Sequence, residues 1–232
     1  MQAWSRWLLA PLWMAQTLLA LPVLGQEANT GLLPAATAAN AATFGPELGA
    51  GVVATLSSSS AHDEIQRFDT GYTLGVWYRP RMEYALGARY MLLGLGSGES
   101  TNGANGVDVS YDAHVVWGQG RVYPYQYLGH ALFVGVRAGA VVMHQSAHGT
   151  WPAGFDQPVG APFHCSATTS PNLALGGELG YERGIGEHLR FASSVNLDAL
   201  RGTSSVVGDC TTGLGSPIVM HVGIGFSYLF EL

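Results

Sequence analysis

Three sets of residues in this chain are of types that do chemistry. His144 and Ser146 stand two apart, and a histidine beside a serine can take its proton and turn it into a nucleophile. Such a pair needs an acid to orient the imidazole, and the nearest one downstream is Asp156. His144, His148, His164 and Cys165 are all metal-ligating types, but the spacing from His148 to His164 is not a recognised zinc pattern. No metal and no cofactor is therefore expected. The third set is Cys165 and Cys210, the chain's only 2 cysteines. In an exported protein they invite a disulfide, which would close a loop of about 45 residues.

Which of these residues can meet depends on the elements that carry them. Residues 218–232 show the plan. Ile218, Met220, Val222, Ile224, Phe226, Tyr228, Phe230 and Leu232 alternate with mostly small or polar side chains. A period of two is a strand with one apolar face, and aromatics gathered at its end suit a membrane boundary. At the other terminus, Arg6, the apolar run 7–24 and the small residues Val23 and Gly25 before Gln26 read as an export signal over 1–25. Residues 26–46, rich in Ala, Thr, Asn and Gly, read as a periplasmic leader.

From 47 to 232 the expectation is all-β: one domain, an eight-stranded antiparallel up-and-down transmembrane β-barrel. Period-two segments fall at 47–56, 68–78, 82–93, 107–117, 127–146, 172–183, 188–200 and 218–232. Most have the ~9–11 residues needed to cross a bilayer when tilted. The connections alternate, short at 79–81, 118–126 and 184–187, longer and polar at 57–67, 94–106, 147–171 and 201–217. Short periplasmic turns and long external loops are the outer-membrane pattern.

Side-chain size decides which face meets lipid. One face carries Tyr72, Leu74, Val76 and Tyr78, then Tyr84, Leu86 and Tyr90, then Val109, Tyr111, Val115 and Trp117, then Leu132, Val134, Val136 and Val142. The other is rich in glycine, which suits the cramped interior of eight strands. A water-facing exterior would favour long charged side chains, yet lysine is absent and only 11% of the chain is charged. The large apolar face is therefore expected to face lipid, with Tyr78, Tyr84, Trp117, Tyr127, Tyr181, Tyr228 and Phe230 as a periplasmic aromatic belt. With a net charge of −6 and no basic stripe, nucleic acid is not an expected partner.

The glycine-rich face also carries charges of both signs, and inside a lipid-surrounded wall these must pair. Counting back from the loops sets Arg89 opposite Asp112, Arg137 opposite Glu178 and Glu182 opposite Arg190. Such pairs fix register and fill the lumen, because eight strands leave no aqueous channel.

Signal, eight amphipathic strands, loop alternation and aromatic last strand together resemble the small outer-membrane barrels of the OmpA/OmpX type, over roughly residues 47–232. The resemblance implies an outer-membrane location in a Gram-negative-type cell and assembly by the barrel machinery through the last strand. Those barrels usually finish on Phe or Trp, and this chain finishes on Leu232. It fixes function poorly, since barrels serve many roles. The expected partners are outer-membrane lipid and an external ligand met by the loops. Trp151, Phe155 and Phe163 are the contact candidates in the longest loop, 147–171. His144 and Ser146 share the parity of Val142, at the outer end of the lipid face. They resemble the His-x-Ser pair of outer-membrane lipid A deacylases, although Ala147 stands where those enzymes usually have Asn. A lipid-modifying enzyme and a small pore are therefore the alternatives to a structural or surface-contact barrel.

Overall fold

The computed structural model describes residues 42–57, 68–100, 107–151, 158–202, 206–207, 211–212 and 214–232. The expected signal and most of the expected leader fall outside them. Eight strands close into one antiparallel barrel: β1 (Thr43–Ser57), β2 (Phe68–Arg81), β3 (Tyr84–Ser100), β4 (Val107–Tyr127), β5 (His130–Thr150), β7 (Asn172–Ile185), β8 (Leu189–Leu200) and β11 (Ile218–Tyr228). β6 (Pro162–Thr168) pairs with β5 outside the closed ring. β9 (Val206–Val207) and β10 (Thr211–Thr212) pair with each other, and β12 (Phe230–Glu231) continues the last strand along β1. Closure runs from Glu47 opposite Ser227 to Ser57 opposite Ile218. It removes the unpaired edges that hydrocarbon cannot satisfy.

The first strand starts at Thr43, so residues 43–46, expected in the leader, belong to the wall. A larger correction concerns β4. It runs to Tyr127 rather than ending at Trp117, because Gly118 and Gly120 pair with Ala138 and Val136 and the ladder goes on, past a register shift between Val122 and Tyr125, to Tyr127 opposite His130. A backbone ladder needs no side chain, so glycine does not stop it. The turn instead falls at Leu128 and Gly129, with φ of 46° and 79°. Two successive positive φ values make the type I′ turn whose twist matches the strands it joins.

The face assigned to this strand is also reversed. Val109, Tyr111, Val115 and Trp117 are buried in the lumen, and Trp117 is no part of the aromatic belt. The register places Arg89 opposite Trp117, with an extra residue accommodated between Gly94 and Gly96. Since side chains alternate, the parity of a single residue decides the face of the whole strand. The other outward faces are as expected, with Tyr72, Leu74, Val76, Tyr84, Leu86, Leu132, Val134 and Val136 all exposed.

On β5 the outward run Leu132, Val134, Val136, Ala138, Ala140, Val142 is apolar, and His144, Ser146 and His148 follow it. At ~3.3 Å per residue and a ~40° tilt the run spans about 25 Å, the height of a lipid belt. Phe44, Tyr78, Tyr84, Tyr125, Tyr127, Tyr228 and Phe230 are exposed around the turn-side end. This belt around a closed sheet makes the chain a membrane-spanning barrel, and barrels so built reside in the outer membrane.

The wall is lopsided at its loop end. β2 leaves β3 at Leu93 and β7 leaves β5 at Val141, yet β3, β4 and β5 continue and β6 joins them. The result is a four-stranded sheet standing above the belt, some ~20 Å tall at ~3.3 Å per residue. Much of the expected loop 147–171 is therefore a hairpin, with His144 to Thr150 paired against Thr168 to Pro162.

Candidate functional site: the filled lumen and the protruding sheet

The lumen is filled in layers. On the turn side Trp77, Ala85, Tyr123 and Phe133 form a small apolar cluster. Above it lies a ring of alternating charge. Arg89 Nη2 donates to Glu47 Oε1 at 2.5 Å, and its Nη1 lies 3.6 Å from Glu178 Oε2. Arg121 closes the ring, donating from Nε and Nη2 to the two oxygens of Glu178 at 2.5 and 3.1 Å, and from Nη1 to Glu47 at 3.4 Å. Trp77 Nε1 donates to Glu47 Oε2 at 2.6 Å, while its ring lies 3.9 Å under the Arg121 guanidinium. Two cations and two anions with fork-like hydrogen bonds leave no net charge in the interior, which is what makes their burial tolerable.

Two further pairs flank the ring. Arg79 donates to both oxygens of Glu182 at 2.9 Å and to the Tyr123 hydroxyl. Arg137 grips Asp198 through Nε at 2.7 Å and through Nη2. Glycine makes room for these groups. A Cβ at Gly135 would run into the Glu178 side chain, and one at Gly176 into the Asp198 carboxylate. Toward the loops the filling turns apolar, with Val53, Met91, Leu93, Val115, Trp117, Val141 and Val219 all at 0% exposure.

The expected partners are therefore re-sorted. Arg137 stands opposite Gly176 and pairs with Asp198, not Glu178. Glu182 stands opposite Ala192 and pairs with Arg79, while Arg190 lies opposite Gly184 with no ion pair among the described residues. Asp112 is opposite Gly94 and His144 on the outward face, far from pairing with Arg89. Counting from loop ends fails because β4, β5 and β6 run through segments read as connections, and because the strongest bonds cross the lumen instead of following the ladder. Glu47, Arg79 and Arg121 were missed. Arg121 keeps the alternation of Gln119 and Tyr123, a signal hidden by Gly118, Gly120 and Pro124.

The outward face of the protruding sheet holds the other candidates. His144 Nδ1 lies 3.0 Å from Thr168 Oγ1, and Ser146 Oγ lies 2.8 Å from Ser110 Oγ. Both face outward as expected, but each is bonded to a neighbouring strand and not to the other. The histidine with an acid partner is His148, whose Nε2 is 3.0 Å from Asp108 Oδ2, and no hydroxyl bonds to it among the described residues. Cross-strand register sets Ser97, Ser110, Ser146 and Ser166 in one row, and Asp108, His148 and His164 in the next. Burial and the charge of Asp69 raise the Asp112 carboxyl above its ordinary range, His144 and His114 opposing them.

Trp151 and Phe163 are not free contact residues. Their rings meet at a tilt with centroids 5.0 Å apart, and Phe163 packs on the apolar core, so they brace the loop end of the hairpin. Phe155 lies outside the described residues. Cys165 sits on β6 against the same core, among described residues that include no free cysteine. Cys210 is outside the described residues.

No family model matches the chain, and no curated protein does. Solved structures do. A major outer membrane protein from Thermus thermophilus shares 13% identity, covering 82% of this chain and all of that one, with a TM-score of 0.53. Ail, the attachment invasion locus protein of Yersinia pestis, solved with the heparin analogue sucrose octasulfate, shares 14% identity over 82% of this chain and 99% of its own, with a TM-score of 0.45. OprG of Pseudomonas aeruginosa shares 14% over 83% and 97%, with a TM-score of 0.42. At such identities a likeness speaks for the fold alone, and that of the Thermus thermophilus protein is in keeping with an outer-membrane fold.

Proposed function

We propose that this chain is an outer-membrane barrel of surface-contact type, with a closed, ion-paired lumen as scaffold and the protruding sheet as its contact element. The observation that carries this reading is the asymmetry of the wall. Four strands continue above the lipid belt, while the lumen beneath them is packed with arginine–carboxylate pairs and apolar side chains. A pore needs a clear lumen, and this one is filled. The lipid-modifying reading needs His144 to bond Ser146, and the two are bonded elsewhere. The last strand, with Phe226, Tyr228 and Phe230 facing outward, is the segment for the assembly machinery to read. A Cys165–Cys210 bridge would tie β6 to the connection between β8 and β11.

The test is a barrel in which residues 145–167 are replaced by a two-residue turn. Unboiled and boiled samples should still migrate differently, because every ring strand keeps the part that spans the belt, β5 included up to His144. Cells carrying the shortened barrel should lose whatever adhesion or ligand binding the full chain confers. Undiminished surface binding by the shortened barrel would overturn the reading, as would a mass change of lipid A that depends on His144 and Ser146.

A further inference from the structure

We propose that His148 and His164 form a cross-strand site for a divalent transition-metal ion on the outward face of the protruding sheet, with Asp108 orienting His148. The spacing of the two histidines fits no zinc motif in the sequence. The β5–β6 hairpin supplies the relation that spacing lacks, since it sets His148 directly opposite His164. Directly opposed residues of an antiparallel pair have Cβ atoms ~4.5–5.5 Å apart on one face. That separation lets two imidazoles reach one ion at the usual metal–nitrogen distance of ~2.0–2.1 Å.

Two further observations support a metal over other ligands. His148 Nε2 lies 3.0 Å from Asp108 Oδ2, on the strand the other side of β5. A carboxylate bonded to one imidazole nitrogen fixes the ring and raises the donor strength of the other, the usual outer partner of a metal-bound histidine. His164 is exposed, and its ring has no hydrogen-bond partner among the described residues, so a nitrogen is available there at no cost in lost bonds. Among the described residues no three His, Cys, Asp or Glu side chains converge on a point. The ion would thus take two nitrogens from the chain and water in its other positions. Imidazole pairs of this kind suit Cu2+, Ni2+ and Zn2+, with Cu2+ bound most tightly. Both histidines stand above the belt, within reach of ions in the medium. The site does not depend on what the sheet's partner is.

The experiment is Cu2+ titration of the refolded barrel in detergent, read by calorimetry and by electron paramagnetic resonance. The expected result is one ion per barrel with two equatorial imidazole nitrogens. His148→Ala and His164→Ala should each remove the two-nitrogen signal. Asp108→Asn should weaken binding ~10-fold or more, in line with outer partners of metal-bound histidines elsewhere. His144→Ala, one row of serines away on the same strand, should change nothing. Boiled and unboiled migration checks that every variant is folded. A two-nitrogen signal that survives His164→Ala, or copper binding indifferent to both histidines, would overturn the proposal.

Discussion

Arg137 shows at the scale of a single residue how the interior is held. Its guanidinium is fully buried and lies 4.7 Å over the Trp117 ring while gripping Asp198. Removing one partner of such a pair leaves a buried charge alone, at a cost of ~3–5 kcal/mol. Arg137→Ala should therefore destabilise the barrel strongly in urea unfolding, and Arg137→Ala with Asp198→Ala should recover ~1–3 kcal/mol of the summed loss. The same cycle with Glu178→Ala should couple more weakly, because Glu178 is held by Arg121 and Arg89. Equal coupling in both cycles would mean that the pairs are misassigned.

Asp112, on the outward face, behaves in the opposite sense. Its carboxyl is raised by burial and by Asp69. A raised acid holds its proton more tightly folded than unfolded, so its ionisation costs stability as pH rises through that window, and the cost persists at neutral pH. Asp112→Asn should shift the urea midpoint upward at pH 7. Near pH 3, where the carboxyl is protonated in both states, the shift should disappear.

At the scale of elements, glycine has two uses in the same strand pair. Gly139 points into the wall, where a Cβ would strike the Val116 carbonyl and Trp117 backbone, whereas at Gly118 it would meet only the Ala138 carbonyl at 3.8 Å. Gly139→Ala should cost ~1–3 kcal/mol as an overpacked site, and Gly118→Ala should be neutral or mildly stabilising as unfolded-chain freedom is lost. Urea midpoints of the two variants compare them directly. The connection after β8 offers another check. Peptide mapping of non-reduced protein should show Cys165 linked to Cys210, and two free thiols would count against the placement of β6 beside that connection.

For the whole molecule, the layered filling predicts transport behaviour. Seven side chains at 0% exposure sit across the lumen above the ion ring, so planar-bilayer recordings should show no steady conductance steps. Reproducible openings would require that filling to move. Relaxing it by Trp117→Ala, on a lumen-facing residue of β4, should be the first change to admit ions.

The sequence by itself determined the class of the molecule. Alternation with large residues on one face and glycine on the other, the loop rhythm and the aromatic last strand are local patterns, and each strand's period is written in its own residues. Location and outward face followed for most strands by the same logic. Only the tertiary structure decided what depends on register. Register with β3, which sets Val115 beside buried Met91 and Trp117 beside buried Arg89, placed Val109, Tyr111, Val115 and Trp117 on the inward face. Bonds crossing the lumen chose Asp198 for Arg137 and brought Glu47, Arg79 and Arg121 into the ion network. The hairpin hidden in the expected loop set His148 against His164. In a sheet the contacts that matter lie between strands, and a slip of one residue exchanges the two faces; spacing along one strand carries no record of where its neighbour begins.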